Sequence, residues 1–188
     1  MFNHKKVRNY QCSRRSFLCR SFQVVMGLCV CNPFKGHASQ FRQPASLNFY
    51  HTHTHDSLTI HLKKGIYKDP VIRKINYFLR DFRTQEVYPI DLRLLDLLCQ
   101  IKHVSGSEGV FEVISGYRSP TTNKKLRMSS VGVAKKSLHM SGKAIDVRIN
   151  DLPTRFLRDV AWSLQKGGVG YYEKSDFVHL DIGRVRRW

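Results

Sequence analysis

The sequence predicts an α+β domain in which two helices precede a small, largely antiparallel sheet with helices packed on it. Three patterns point there. Residues 47–62 alternate apolar and polar with β-favouring Thr and Ile. Residues 72–82 and 91–103 carry apolar side chains at helical spacing. The second half holds three short β-rich runs, 144–149, 168–172 and 177–182, around one helical stretch.

Each element has its own signal. "LNFYHTHTHDSLTIHL" (47–62) reads as a hairpin turning at Asp56-Ser57. Ile75, Phe78, Leu79 and Phe82 line one helical face, and Thr84 to Pro89 breaks it. Asp91 is placed to cap a second helix that buries Leu94, Leu95, Leu98 and Ile101. Residues 111–114 form a short strand entering "SGYRSP", and a short helix spans 122–128. A basic loop covers 129–137. A strand over 144–149 is followed by a helix over 152–166, with Phe156, Leu157, Val160 and Leu164 inward. Two late strands, 168–172 and 177–182, join at a turn over 173–175.

The charge is the unusual bulk property. Thirty-two Lys and Arg against 14 Asp and Glu give +18. Such a surface suits nucleic acid, anionic lipid or another polyanion. The positive residues are scattered, with no zinc-finger spacing and no Lys/Arg-rich block, so nucleic acid is not expected as a partner. Four of the five cysteines fall within the first 31 residues, and Cys99 sits in an apolar helix, so a disulfide framework is not expected.

The first 38 residues hold seven Lys or Arg and no acid. A basic stretch, an apolar run at 22–31 and the small residues Ala38 and Ser39 follow the three-part plan of a secretory signal. Arg14-Arg15-Ser16-Phe17-Leu18 resembles the twin-arginine export signal, with cleavage read after Ala38 and an exported, periplasmic domain over 39–188. The apolar run is shorter than the about 20 residues a bilayer span needs, so no stable membrane insertion is expected once the leader is gone. A basic interfacial helix is the plain alternative. The remaining domain would carry +11 and one cysteine, and is expected to be a monomer.

The chemistry concentrates in two segments. In "SLHMSGKAIDV" (137–147), Gly142 permits a turn that presents His139 and Asp146 to one point. Asp146 lies between Ile145 and Val147, and a carboxylate in such a strand requires a partner. In "DFVHLDIG" (176–183), His179 and Asp181 share a strand face. Two imidazoles and a carboxylate with an open fourth position suit catalytic zinc. Singly, each residue is more ordinarily a packed histidine or a turn aspartate.

Ser137, His139, Gly142, Ala144 and Asp146 fill an S-x-H-x-x-G-x-A-x-D pattern. It resembles the signature of the zinc D-Ala-D-Ala peptidases (LAS metallopeptidases), whose core is hedgehog-like. "SGYRSPTTN", "GVAKKSLHMSGKAIDV" and "GGVGYYEKSDFVHLDIGRVRRW" are similar to the YcbK-like (MepK-like) murein endopeptidases over residues 47–188. The resemblance implies Zn2+ at His139, Asp146 and His179, and hydrolysis of peptidoglycan cross-links. A non-catalytic wall-binding domain is the alternative. Asp181 and Asp176 are the candidate general bases; Asp176 stands three before His179, where related D,D-peptidases carry an acid. Asp181 has a second reading, orienting a zinc-bound imidazole. Arg118 is expected near the substrate or in an ion pair, with Tyr117 and Ser137 as weaker candidates. The scissile bond is D-Ala–diaminopimelate, diaminopimelate–diaminopimelate or a terminal D-Ala, and the resemblance favours an internal cross-link. His51, His53 and His55 would share a face on one strand, either as a solvated edge or as a second metal site.

Overall fold

A computed structural model of the chain describes residues 46–61, 69–129 and 132–188. The leader read over residues 1–38 lies outside them. The elements run β1 (Ser46–His51), β2 (Ser57–His61), α1 (Asp69–Phe78), α2 (Leu92–Ser105), β3 (Phe111–Ser115), α3 (Pro120–Ser129), β4 (Ala144–Ile149), α4 (Thr154–Ser163), β5 (Gly168–Tyr172), β6 (Phe177–Asp181) and β7 (Arg186–Arg187). A 3-10 turn, Leu138–Ser141, precedes β4.

Among the described residues, seven strands form one sheet in the order β2-β1-β3-β4-β6-β5-β7. The sheet is mixed: β1 pairs parallel with β3, and β5 parallel with β7, while the other four pairings are antiparallel. Both parallel pairs are non-local, so alternation within one segment does not announce them. The two-residue strand Arg186–Arg187 has no apolar pattern at all.

Alternation along the strands separates core from site. Ile145, Val147 and Ile149 of β4, with Val178 and Leu180 of β6, face a core completed by Leu94, Leu95, Leu98 and Ile101 of α2 and Leu157 and Val160 of α4. Asp146 and His179, opposite each other across the β4–β6 ladder, point to the other face. Asp91 caps α2 by accepting from the Arg93 amide, and Gly106 ends it in the left-handed conformation.

Helix α1 starts three residues before the predicted face and stops at Phe78. Beyond it, Asp81 accepts the amides of Arg83 and Thr84 in a local turn, which competes with continuing the helix. The three histidines do not share a strand face. β1 ends at His51, and residues 52–54 turn. His51 is buried and accepts from the amides of His53 and Thr54 through Nδ1. His53 stacks on Phe82 with centroids 4.1 Å apart, and His55 takes a positive φ of 61°. Side-chain capping of a tight turn consumes the pattern that reads as a strand. No described helix is long and apolar enough to cross a membrane.

Candidate metal centre

His139 reaches the site from the 3-10 turn, and Gly142 is what allows the turn. Gly142 has φ 64°, and a Cβ there would run into the Pro89 carbonyl. Its own carbonyl accepts the Asp91 amide at 2.9 Å, locking the turn to the start of α2. The His139 carbonyl accepts the Arg118 amide at 3.2 Å, so the same turn fixes the "SGYRSP" loop.

Three atoms converge. His139 Nε2 lies 3.2 Å from Asp146 Oδ1 and 3.1 Å from His179 Nδ1, and His179 Nδ1 lies 2.9 Å from Asp146 Oδ1. The other nitrogen of each ring is committed. His139 Nδ1 donates to the Gly116 carbonyl at 2.7 Å. His179 Nε2 donates to Asp181 Oδ2 at 3.0 Å. A carbonyl and an ionised carboxylate can only accept, so in its neutral form each ring would turn its lone pair towards Asp146. A tetrahedral ion with bonds of about 2.0–2.1 Å would set its ligand atoms about 3.3 Å apart. The three separations are close to that, and the donor set suits zinc. Among the described residues this is the one His/Cys/Asp/Glu group whose ligand atoms gather to fit a metal.

The buried carboxylate and imidazoles also shift one another's protonation. Burial pushes the Asp146 carboxyl up, but the charge and hydrogen bonds of His139 and His179 outweigh it and hold the group far below the usual carboxylate range. Burial lowers His179, yet hydrogen bonds to Asp146 and Asp181 win and raise it to about 9. A metal held there would compete with a proton for the same lone pairs.

Asp181 is fully buried and fully engaged. Its oxygens accept the amides of Gly168 and Gly183 at 3.1 and 2.8 Å, and Arg186 at 3.1 and 2.6 Å, besides His179. Burial would raise its pKa, but the hydrogen bonds from His179, Arg186 and Gly183 lower it instead. It stands behind the imidazole, away from the cavity.

Asp176 is also not brought to the three-atom cluster. Its backbone is left-handed (φ 50°), and its carboxylate accepts Thr154 Oγ1 at 2.7 Å and lies 3.7 Å from Arg148. It lines a different depression, while its neighbours Ser175 and Phe177 line the metal cavity.

That cavity has about 430 Å³ and also takes in Arg118, Ser137, Tyr172 and Trp188. Arg118 lies 3.4 Å from Asp146 Oδ2, and its buried Nε has no hydrogen-bond partner. Tyr117 instead turns away to stack on Tyr88, centroids 4.8 Å apart. Sequence reasoning passed over Arg186, Gly116 and Trp188. Trp188 packs its ring 5.3 Å from that of His179 and covers the site's side wall. Arg186 is one of a run of basic residues, and only the sheet pairing reveals its acid partner.

A buried two-His, one-carboxylate cluster with a braced imidazole beside an open cavity has the donor set that a metallohydrolase centre uses. The family profile described as peptidoglycan L,D-endopeptidase MepK matches residues 39–188. The chain is 40% identical over 147 residues to the peptidoglycan L,D-endopeptidase MepK of Escherichia coli K12, covering 78% of this chain and 81% of that protein. It is 41% identical over 149 residues to the probable peptidoglycan L,D-endopeptidase MepK of Haemophilus influenzae, covering 78% and 80%. The chain belongs to this family of M15-type peptidases.

Proposed function

We propose that the protein is a zinc-dependent hydrolase that cuts an L,D peptide cross-link of peptidoglycan, with His139, Asp146 and His179 as the metal ligands. The observation that carries the reading is the convergence of three lone-pair atoms within 3.2 Å, each imidazole pinned by its other nitrogen. The named activity of the relatives supports the substrate. When bound, zinc supplies Lewis acidity to a peptide carbonyl and to water.

The chain's own residues do the rest. Asp181 positions His179 and keeps its Nδ1 lone pair forward. Arg118 lines the cavity beside Asp146, where its guanidinium can hold a substrate carbonyl or carboxylate. Asp181 has no lone pair to spare as a base. Asp176 is then the proton carrier: its side chain is 62% exposed beside the cavity rim, and it serves by turning away from Thr154.

Residues 1–38 act as a twin-arginine leader, and the mature monomer works in the periplasm, where its positive charge gathers it on an anionic wall. The test is digestion of purified sacculi by the zinc-loaded protein, followed by mass analysis of the fragments. Release by cleavage between an L and a D centre supports the reading; cleavage only at D,D bonds or at a terminal D-Ala corrects it; a protein that binds sacculi and releases nothing sinks it.

A further inference from the structure

A second depression, of about 280 Å³, shares Trp188 with the metal cavity. Its floor is Val169 of β5, and its walls are Trp162, Trp188, Arg158, Asp159 and Arg187. The short strand β7 explains how one stretch of chain serves two cavities. It pairs parallel with β5, Gly168 opposite Arg186 and Val169 opposite Arg187. Successive strand side chains point to opposite faces. Arg186 therefore turns to Asp181 behind the metal site, 2.6 Å away, while Arg187 turns to the groove with its guanidinium 5.0 Å from the Trp162 ring centre. Trp188 then lines both spaces. Gly170 lets it lie that close, because a Cβ there would press into the indole.

The charges in the groove are unequal in availability. Asp159 is taken by Arg158, with Nε and the terminal nitrogen at 2.8 and 2.7 Å from the same oxygen. Among the described residues, Arg187 has no carboxylate within ion-pair distance, and it is exposed. The result is a slot walled by two indoles, with the Arg187 guanidinium over the Trp162 ring and without a carboxylate partner among the described residues. Indole faces take up aliphatic chain, and a guanidinium grips a carboxylate through two parallel N–H bonds.

We propose that this groove is a substrate subsite that holds an aliphatic, carboxylate-bearing residue of the stem peptide flanking the scissile bond. Its carboxylate sits on Arg187 and its chain lies against Trp162 and Trp188. The assignment rests on the peptidoglycan reading above, and Trp188, which lines both spaces, is what links the groove to the metal cavity.

Of the two Trp in the sequence, Trp162 lines the groove and Trp188 lines both spaces, so intrinsic fluorescence reports binding without any cleavage, and the variants tell the two spaces apart. The experiment titrates the full chain, in chelator, with a synthetic cross-linked stem peptide and with the same peptide amidated at its free carboxylates. The acid should bind at least tenfold more tightly than the amide. Arg187→Gln should shrink that preference to within twofold, with an unchanged melting temperature, whereas Arg184→Gln, an exposed change outside the groove, should keep it. Equal binding of acid and amide overturns the proposal. So does a preference that survives Arg187→Gln and disappears in Arg118→Gln, which puts the carboxylate in the metal cavity. Equally good competition by peptide-free glycan strands also overturns it, in favour of a sugar on the indoles. If the zinc-loaded protein cuts no cross-link while the Arg187-dependent preference holds, the groove stands and the hydrolase reading fails. Cleavage without the preference has the reverse meaning.

Discussion

Asp181→Asn separates a positioning carboxylate from a proton carrier. The substitution keeps the shape and one oxygen, which can still accept the amides of Gly168 and Gly183. Its new NH2 then faces Arg186 at 2.6 Å and His179 Nε2 at 3.0 Å, donor against donor. His179 loses the partner that keeps Nδ1 free for a metal. Removing such a brace costs about 10–100-fold in metal affinity, or about 1.4–2.7 kcal/mol. Arg186 loses its acid as well. Breaking a buried pair costs about 3–5 kcal/mol, but the Arg186 side chain is 31% exposed, so about 2 kcal/mol is expected. The assay is zinc competition against a chromophoric chelator, with kcat measured at saturating zinc and unfolding followed by denaturant. Weakened zinc binding, with much of the activity restored by excess zinc, is the expected result. Unchanged zinc affinity with kcat down 100-fold or more would refute the positioning role and make Asp181 the base.

Asp176→Asn should do the opposite: zinc affinity within twofold of the parent, and kcat reduced by about 10²–10⁴. Full activity in that variant removes Asp176 from the chemistry. His51 has its pKa lowered to about 4, first by burial and then by the neighbouring His53 and Arg80. The unfolded chain therefore binds more protons between pH 4 and 6.5, and the contribution of neutral His51 is complete above 6.5 and lost as pH falls towards 4. Denaturant curves in chelator should show the stability gap between the parent and His51→Asn closing by on the order of 2 kcal/mol over that window; a gap independent of pH contradicts it. Gly142→Ala puts a Cβ into the Pro89 carbonyl at φ 64°, so it should cost more than about 2 kcal/mol and lower the melting temperature by at least about 4 °C. A shift under that size would show that the turn can relax.

Local pattern explains what the sequence revealed. The helical spacing of Leu94, Leu95, Leu98 and Ile101 and the capping Asp91 depend on neighbours in the chain, and the structure has both. His139 and Asp146 lie seven residues apart around a turn glycine, and an apolar strand carrying a carboxylate is conspicuous. What stayed hidden was set across the sheet. The parallel partnership of β1 and β3 joins segments about 60 residues apart. Arg186 and Arg187 look alike in sequence, and only the pairing of β7 with β5 sends one to Asp181 and the other to a groove. Asp181 and Asp176 were equivalent as acids near His179, and burial separates them: one is enclosed by five hydrogen bonds, the other exposed at a rim. The histidine triplet misled because a strand alternation and a side-chain-capped turn share the same letters.

The most direct measurement pairs metal content with cleavage in one preparation. The parent protein and His139→Ala are dialysed against zinc, analysed for bound metal, and incubated with purified sacculi with and without chelator. The parent should retain one zinc per chain and release cross-link fragments that chelator abolishes, and His139→Ala should do neither. Fragments released at the parent rate by the zinc-free protein, or by His139→Ala, would contradict a metal centre built on His139, Asp146 and His179.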